Sequence, residues 1–417
     1  MKALLSLIII GISSFSYATQ QAEILFKQLA PSLYQIRLID IASGEKSSIG
    51  SGFQISADGL IATNYHVISG YARHPEKYKI EYLDNQGNKA KLTLESVDVI
   101  NDLALVKRVT NEAMAYFSLS LTIPTKGEEL FSLGNPHDLG MIVVPGTYNG
   151  LKKESFNDRI HFTGSVNSGM SGGPVVNKSA MVVGVNVATS GNQIGFLVPH
   201  GKLVNLFNRY TQLPTESIQQ QMTDQLNNKQ AELMARILNA NWQAKKLGNG
   251  LFPTIDVPFI RCWGESNADR KEALILVAAT NCSLDENTYI AGNFFTGSIE
   301  MDFQYLQAKN LSSTKFYQLF QRRVARVMPG NKAGKDDVTE FECQHDIVMP
   351  SHQKINNKAI FCARAYKDFT NLYDVLYVGI SIDKDDQALL SHFTLAGVSQ
   401  QNSQAFTQKF MESVSWK

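Results

Sequence analysis

The chain has 417 residues, with 39 Lys and Arg against 38 Asp and Glu and a formal net charge of +1. This length allows two or three domains. The near balance of charge argues against nucleic acid or an anionic membrane surface as the main partner. The hydrophobic fraction of 44% and the charged fraction of 18% are ordinary for a folded globular protein.

The first 18 residues, MKALLSLIIIGISSFSYA, predict a cleavable export signal. One lysine precedes an apolar run from Ala3 to Ile12, and the stretch ends in the small-x-Ala pattern Ser16-Tyr17-Ala18. The alternative is an uncleaved membrane anchor, but the apolar run is short for a bilayer span. We therefore expect cleavage after Ala18, no stable membrane anchor, and a periplasmic or secreted mature protein.

Residues 19–212 are predicted to form a β-rich domain. From residue 20 onward, short strand-like runs alternate with Gly, Asn, Asp or Pro, which is typical of a sandwich or a barrel. The pairs Asp58-Gly59 and Gln86-Gly87 suit hairpin turns. The stretch from Gly201 to Arg209 is predicted to be a short helix that closes the domain.

Residues 213–248 are predicted to be an amphipathic helical linker. The stretch from Thr215 to Lys246 is rich in helix formers and lacks Gly and Pro. Its apolar residues recur at three-, four- and seven-residue steps: Ile218, Met222, Leu226, Leu233, Ile237 and Leu238. Such a stripe favours packing within the chain over a coiled coil, because it is too short for sustained heptads.

The four cysteines, Cys262, Cys282, Cys343 and Cys362, all lie in the last part of the chain. An even count in an exported protein favours two disulfides. No two of them lie two to four residues apart, as zinc ligands usually do. The spacing suggests 262–282 and 343–362, although the sequence alone allows three connectivities.

The C-terminal region is predicted to contain two tandem α+β modules, residues 249–330 and 331–417. A weak internal repeat aligns the stretch from Phe303 with the stretch from Phe393. The matching pairs are Phe303/Phe393, Ser313/Ser403, Phe316/Phe406, Gln318/Gln408 and Phe320/Phe410. Each copy follows a cysteine pair, so each module is expected to have strands, one disulfide and a closing helix.

The segment GSVNSGMSGGP, residues 164–174, contains a candidate nucleophile, Ser171. A serine attacks a carbonyl only if an imidazole takes its proton and a further group, usually a carboxylate, orients that imidazole. The N–H groups of Gly169 and Ser171 are candidate donors to a developing oxyanion. Because glycine-rich turns are common, the segment alone does not establish chemistry.

His66 is the best candidate for the base, since it directly follows the apolar strand-like run GLIAT. His161 and His200 flank the serine region and are interpreted as structural or substrate-facing. The other histidines lie in polar stretches and are expected at the surface: His74, His137, His345, His352 and His392.

Asp102 is the candidate orienting carboxylate, because it opens the alternating run LALVK and a strand would hold it rigidly. Asp98 is interpreted as a solvated loop residue. The order His, Asp and Ser, each at a strand boundary of one β-rich domain, is a far more specific signal than the glycine-rich segment alone.

The chain resembles the HtrA, or Deg-type, serine proteases from about residue 24 to 207. The similar blocks, in order, are GSGFQISADGLIATNYHVISG, NDLALVK, LGNPHDLG, SGMSGGPVVN and VVGVNVATSGNQIGFLVP. The resemblance implies an exported, trypsin-fold peptidase of two packed six-stranded β-barrels. It also implies His66 as general base, Asp102 as its orienting group, Ser171 as nucleophile, and an oxyanion hole from Gly169 and Ser171.

The chain departs from that family in two ways. Met170 stands where the family usually has Asn, whose side chain helps to shape the oxyanion loop. The PDZ modules that usually follow the protease domain have no counterpart here, because residues 214–417 lack the glycine-rich carboxylate-binding loop. The resemblance therefore says nothing about the C-terminal half.

The sequence also lacks the features of a digestive-type zymogen. It has no Ile-Val-Gly-Gly-like start and no acidic residue directly before Ser171, so we expect activity without cleavage at a new amino terminus. The expected substrate pocket carries no charged side chain, which predicts cleavage after small or medium aliphatic residues. Its predicted residues are Ser165, Asn167, Ser168, Asn186, Val187 and Ala188.

The sequence thus predicts an exported serine endopeptidase that acts through an acyl-enzyme on polypeptide substrates, in envelope protein quality control or as a secreted protease. The alternative is an idle protease-like scaffold that binds unfolded chains or an envelope partner. A lipase or esterase is disfavoured, because those enzymes place the histidine last in chain order. No metal or organic cofactor is expected, and family analogy suggests a homo-oligomer.

Overall fold

A computed structural model of the chain describes residues 17–189, 194–212, 216–284, 286–349 and 356–416. The predicted export signal lies almost wholly outside these residues. The structure divides into two compact units. The first contains described residues within 1–95, 104–151 and 159–211, and the second contains those within 96–103, 152–158 and 212–417.

The first barrel is a closed six-stranded sheet in the order β1-β2-β3-β6-β5-β4. Its strands are short and turn-bounded because the sequence alternates apolar runs with turn residues. Their bounds are β1 (Leu33–Asp40), β2 (Lys46–Gln54), β3 (Leu60–Thr63), β4 (Tyr78–Leu83), β5 (Lys89–Asp98) and β6 (Leu103–Arg108).

The second barrel is also a closed six-stranded sheet, in the order β10-β11-β12-β9-β8-β7. Its interior is filled by buried apolar side chains that include Leu130, Phe162, Val175, Val183 and Leu197. The strands are β7 (Glu129–Gly134), β8 (Ile142–Leu151), β9 (Ile160–Thr163), β10 (Pro174–Val176), β11 (Val182–Thr189) and β12 (Gly195–Pro199). The predicted double β-barrel is therefore confirmed.

Helices accompany the barrels at three places along the chain: α1 (Tyr17–Leu29), α2 (Tyr65–Arg73) and α3 (His200–Gln212). Short 3-10 turns follow α1 at Ala30–Ser32 and β7 at Pro136–Asp138. The helix predicted from Gly201 to Arg209 lies inside α3. Since α2 starts two residues after the end of β3, the local sequence changes from extended to helical directly before His66.

The second unit is an α+β structure built on a seven-stranded antiparallel sheet in the order β15-β16-β19-β23-β22-β21-β20. A three-stranded sheet, β13-β14-β24, and the hairpin β17-β18 complete its strands. The helices are α4 (Ile218–Asn239), α5 (Ser313–Val324) and α6 (Gln400–Ser413). The strands are β13 (Trp242–Leu247), β14 (Gly250–Ile255), β15 (Ile260–Ser266), β16 (Ile275–Leu284), β17 (Thr288–Ala291), β18 (Phe294–Thr296), β19 (Ile299–Ala308), β20 (Glu342–Val348), β21 (Asn357–Ala365), β22 (Tyr373–Ser381), β23 (Gln387–Val398) and β24 (Ser415–Trp416).

Helix α4 begins at a well-formed cap and buries its apolar stripe within the chain. The Ser217 side chain accepts a hydrogen bond from the backbone N–H of Gln220, which satisfies a donor that the first turn would leave unpaired. Leu233, Met234 and Ile237 lie in the main core of the second unit. Intramolecular packing, the interpretation favoured from the sequence, therefore accounts for the stripe.

The internal repeat corresponds to equivalent elements of one sheet. Phe303 and Phe393 lie on β19 and β23, and the repeated phenylalanines of α5 and α6 are buried. Strands β19 and β23 pair antiparallel with Asp302 directly opposite His392, and these two residues are also equivalent in the repeat alignment. Strands from both predicted modules thus share a sheet, while the module boundaries remain a prediction.

Two disulfides join neighbouring strands of this sheet. Cys262 of β15 is bonded to Cys282 of β16, and Cys343 of β20 is bonded to Cys362 of β21. In each pair the two cysteines are direct cross-strand partners, with Cα atoms 4.0 Å apart. These are the pairings that the spacing suggested.

Candidate active site

His66 lies in the first turn of α2, three residues beyond the end of β3. Its neighbours Tyr65 and Val67 are fully buried, whereas His66 itself is partly exposed. Because the flanking side chains are packed in the core, the helix turn holds the imidazole at the surface of the first barrel.

Asp102 directly precedes β6, and the register of the first barrel pairs Thr63 of β3 with Ala104 of β6. The end of β3, which leads into His66, therefore lies opposite the start of β6, which follows Asp102. Asp102 has a positive φ of 61°. Aspartate tolerates this left-handed conformation better than most residues, and strained backbone of this kind clusters at functional sites.

The side chain of Asp98, the alternative carboxylate, accepts hydrogen bonds within a turn. It is only 7% exposed at the end of β5, so the expectation that it is solvated was wrong. Its Oδ1 accepts a hydrogen bond of 3.0 Å from the Asn101 backbone N–H, and its Oδ2 accepts one of 2.8 Å from Asn101 Nδ2. Asp98 therefore shapes the turn that leads to Asp102.

Ser171 lies in a loop that is attached to the first barrel by backbone contacts. Its carbonyl accepts a hydrogen bond of 2.8 Å from the Ser51 backbone N–H. The next residue, Gly172, has a φ of +85°, and a Cβ there would lie 2.5 Å from Thr63 Oγ1 and 2.8 Å from the Asn64 backbone N. Only glycine fits this approach, which brings the serine loop against the residues that lead into His66.

The peptide between Ser168 and Gly169 has a defined orientation. The Ser168 carbonyl accepts a hydrogen bond of 2.9 Å from the His137 backbone N–H. In a planar trans peptide the N–H points away from the carbonyl, so the Gly169 N–H faces the side opposite His137. Within the part of the chain that the structure describes, the N–H groups of Gly169 and Ser171 donate no hydrogen bond.

Met170 is fully buried among the core residues of the second barrel. Its side chain therefore points away from the loop surface and acts as an apolar anchor for the loop. At this position the family that the sequence resembles usually has Asn, whereas this chain holds the loop by burial of Met170.

Sequence reasoning missed Ser51, which ties the loop together from β2. Its hydroxyl donates a hydrogen bond of 2.7 Å to the Gly169 carbonyl and accepts one of 2.9 Å from the Asn135 backbone N–H. The only signal in the sequence is the small-residue block GSGF. A pattern of small residues indicates close approach of backbone segments, but it does not say which segments approach.

The predicted pocket residues occupy different environments. Ser165, Asn167 and Ser168 are exposed, and Val187 is partly exposed on β11. Asn186 is buried: its Oδ1 accepts a hydrogen bond of 2.9 Å from Ser132 Oγ, and its Nδ2 donates one of 3.2 Å to the Leu133 carbonyl.

Ala188 pairs with Phe196 between β11 and β12, and its side chain lies outside what the structure describes.

The other histidines are scattered. His74, His137 and His345 are exposed, as expected, and His352 lies outside the described residues. His161 is partly exposed beside Phe196, and His200 Nδ1 lies 3.3 Å from the Val183 carbonyl. His392, expected at the surface, is 5% exposed in the middle of β23. That expectation was wrong: the neighbouring Leu389, Leu390 and Phe393 are apolar and belong to a buried central strand.

Two features of the described residues bear on cofactors and membranes. Among these residues, no group of three or more His, Cys, Asp or Glu side chains is arranged to hold a metal ion. No helix within the described ranges is long and apolar enough to cross a membrane.

The barrel region of this chain is similar to known proteins. Residues 50–185 match the family described as "Trypsin-like peptidase domain". Serine protease HTR4 of Rattus norvegicus is 33% identical over 190 residues, which cover 42% of this chain and 38% of that protein. A protein from Chlamydia pneumoniae named as a probable periplasmic serine endoprotease, DegP-like, is 34% identical over 161 residues, which cover 36% of this chain and 32% of that protein.

Among solved structures, Deg5 is similar, with 26% identity and a TM-score of 0.42, over 48% of this chain and 98% of that chain. The aligned regions span less than half the length of the two relatives named above. The matched range of the family contains His66, Asp102 and Ser171. The barrel region of this chain is therefore similar to trypsin-like peptidase domains and to the serine proteases named HTR4 and DegP-like.

Proposed function

We propose that the protein is a serine endopeptidase in which Ser171 is the nucleophile, His66 the general base and Asp102 the group that orients His66. The observation that carries the proposal is the approach of two loops in the first unit. Gly172, next to Ser171, is in contact with Thr63 and Asn64, which lead into His66. The pairing of Thr63 with Ala104 supports a position for Asp102 at the same end of the barrel as His66.

The proposed reaction has two stages. His66 takes the proton of the Ser171 hydroxyl as its oxygen bonds to the scissile carbonyl carbon, and then gives that proton to the leaving amine as the C–N bond breaks. His66 then takes a proton from a water molecule as the water oxygen bonds to the ester carbon, and returns that proton to the Ser171 oxygen as the ester bond breaks and the acid is released. Asp102 stabilises the imidazolium that forms in each stage.

The oxyanion site is proposed to consist of the N–H groups of Gly169 and Ser171. Both are available in the described structure, and the hydrogen bond from His137 to the Ser168 carbonyl supports an orientation of the Gly169 N–H away from His137. The Ser51 hydroxyl holds the Gly169 carbonyl. These contacts support a donor pair that is formed without the polar residue that the family usually has at position 170.

The proposed specificity is for small or medium aliphatic residues before the scissile bond. The candidate pocket residues carry no charge, so they offer no ion pair to a basic or acidic substrate side chain. The Asn186 amide is occupied by Ser132 and Leu133, which leaves it with less capacity for polar recognition. Profiling with a peptide library tests this, and a dominant preference for Arg, Lys or Glu would contradict it.

The proposed setting is the periplasm or the cell exterior, after removal of residues 1–18, with a role in envelope protein quality control or as a secreted protease. A relative named as periplasmic and DegP-like supports export. Polypeptides are the proposed substrates, and a homo-oligomer is proposed by analogy with the family. Amino-terminal sequencing of exported protein should begin at Thr19, and sedimentation measures the oligomeric state.

The decisive experiment labels the purified protein with a fluorophosphonate and measures hydrolysis of an unfolded protein substrate. The wild type should be labelled and active, and Ser171→Ala should lose both labelling and turnover. Ser179→Ala, at an exposed serine between β10 and β11 of the same barrel, is the matched control and should be labelled normally. If the wild type binds unfolded chains but is neither labelled nor active, the protein is the idle scaffold.

A further inference from the structure

We infer that two glutamines of α4, Gln221 and Gln225, are positioning residues for Asp102. This inference rests on the proposed function and deepens it. It assigns a role in catalysis to a helix that lies beyond the region of family resemblance. The residues concerned, 96–103 and α4, belong to the same compact unit.

Gln225 grips the chain segment before Asp102 through both ends of its amide. Its Oε1 accepts a hydrogen bond of 2.8 Å from the Val99 backbone N–H, and its Nε2 donates one of 2.8 Å to the Val97 carbonyl. The amide therefore fixes two alternate residues of an extended segment, much as a neighbouring strand would. Two bonds from one planar group define the direction of the segment as well as its distance.

Gln221 adds a second hold one turn earlier on the helix. Its Oε1 accepts hydrogen bonds of 2.7 Å from Ser96 Oγ and 3.0 Å from the Val97 backbone N–H. Its own Nε2 donates to the carbonyl of Glu216, which directly precedes the helix cap, and this bond also orients the amide. Gln221 is 4% exposed, and a buried amide with its hydrogen bonds satisfied resists displacement.

A short turn connects the segment that α4 holds to Asp102. Val97 and Val99, which α4 holds, flank Asp98, and the Asp98 carboxylate binds Asn101 through two hydrogen bonds. Asn101 directly precedes Asp102, whose left-handed backbone has to be maintained by its surroundings. Each step of the path from α4 to Asp102 is a named hydrogen bond or a peptide bond.

A plainer interpretation is that the glutamines only satisfy buried backbone groups and contribute to stability. The two interpretations differ in what the enzyme does after the hydrogen bonds are removed. If the glutamines position Asp102, their loss lowers kcat and alters the ionisation of His66, since Asp102 stabilises the imidazolium. If they only stabilise the fold, the folded fraction retains its kcat and its pH profile.

The test compares Gln225→Met in the full chain with the wild type and with Gln220→Met. Methionine has nearly the length of glutamine but makes neither hydrogen bond. Gln220 is exposed on the same helix, and its side-chain amide donates a hydrogen bond to Asp224. Kinetics are measured on a peptide substrate from pH 5 to 9, an interval chosen to cover the ordinary titration range of histidine at about 6.5.

For Gln225→Met we expect kcat to fall by about 10- to 100-fold, the scale of a displacement of about 1 Å caused by a remote change. KM should stay unchanged, and the acid limb of the kcat/KM profile should move to lower pH. Gln220→Met should match the wild type in kcat, in KM and in the position of the acid limb. Gln225→Met with wild-type kcat and an unmoved acid limb overturns the inference.

Two additions keep the outcome interpretable. Gln225→Ala also removes both hydrogen bonds but places no new polar atom against the segment, so it should show the same fall in kcat and the same shift of the acid limb even if Gln225→Met does not fold. Hydrogen exchange at Val99 tests the grip without reference to activity, because the acceptor of the Val99 N–H is Gln225 Oε1, and this amide should exchange faster in both Gln225 variants. Absence of hydrolysis by the wild type would refute the proposed function. An unchanged exchange rate of the Val99 amide in the Gln225 variants would refute the grip.

Discussion

The backbone N–H of His137 donates a hydrogen bond of 2.9 Å to the Ser168 carbonyl. This bond determines the direction in which the Ser168–Gly169 peptide points its N–H, and therefore bears on whether an oxyanion site exists before substrate binds. The loop is held at a second point by the Ser51 hydroxyl on the Gly169 carbonyl. Two independent bonds thus define the peptide on each side of Gly169.

Gly169→Ala should lower kcat by about 10² to 10³-fold, the usual effect of losing one oxyanion donor. Gly169 has a φ of +93°, and a Cβ there would lie 2.4 Å from the Asn135 carbonyl oxygen, so the loop has to move. Gly140→Ala is the control, because Gly140 has a φ of +105° with open space around it. Steady-state kinetics on both variants check this, and an active Gly169→Ala enzyme would contradict the proposed oxyanion site.

Asp102→Asn should lower kcat by roughly 10⁴-fold, because the amide cannot stabilise the imidazolium and favours the wrong tautomer. Asp98→Asn should instead lower stability by about 1–3 kcal/mol, since Asp98 accepts two hydrogen bonds from Asn101. Its kcat should fall far less than that of Asp102→Asn. The reverse order of the two kcat values would identify Asp98 as the orienting group.

Met170→Asn introduces the residue that the related family has, yet it should destabilise this protein. Met170 is fully buried in the second barrel, and loss of a buried methionine side chain costs roughly 2–5 kcal/mol. The buried amide adds an unsatisfied polar group. Urea denaturation should show an earlier midpoint for Met170→Asn, and no shift for Met349→Asn at an exposed position.

His392 should make the second unit less stable in mild acid. Burial lowers the pKa of His392 from its ordinary value of 6.5 to about 4. The unfolded chain therefore binds a proton between these pH values that the folded chain does not, so stability falls as the pH drops from 6.5 to 4. A difference of about 2.5 pH units corresponds to roughly 3 kcal/mol.

Tryptophan fluorescence measures this loss selectively, because Trp242, Trp263 and Trp416 all lie in the second unit. His392→Gln should show a flatter dependence of unfolding free energy on pH across that interval. His74→Gln, at an exposed histidine, should retain the wild-type slope. A steep slope that persists in His392→Gln would assign the acid sensitivity to other groups.

The sequence by itself determined the features that depend on neighbouring residues or on chemistry that few residue types provide. Short apolar runs between turn residues predicted the barrel strands, and the order of His66, Asp102 and Ser171 at strand boundaries predicted the candidate site. The cysteine spacing suggested both disulfides. In the structure each of them joins two neighbouring antiparallel strands. The repeated phenylalanines predicted equivalent elements within the C-terminal region.

Only the tertiary structure decided which distant segments meet. No local pattern indicates that Gln225 binds the chain at Val97 and Val99, that Ser51 holds Gly169, or that Met170 fills a barrel core. The burial of Asp98 and His392 was misjudged because an ionisable side chain suggests exposure, whereas burial depends on what packs against the residue from elsewhere in the chain. Local periodicity determines the elements, whereas burial and hydrogen bonding between distant residues are settled only when the chain has folded.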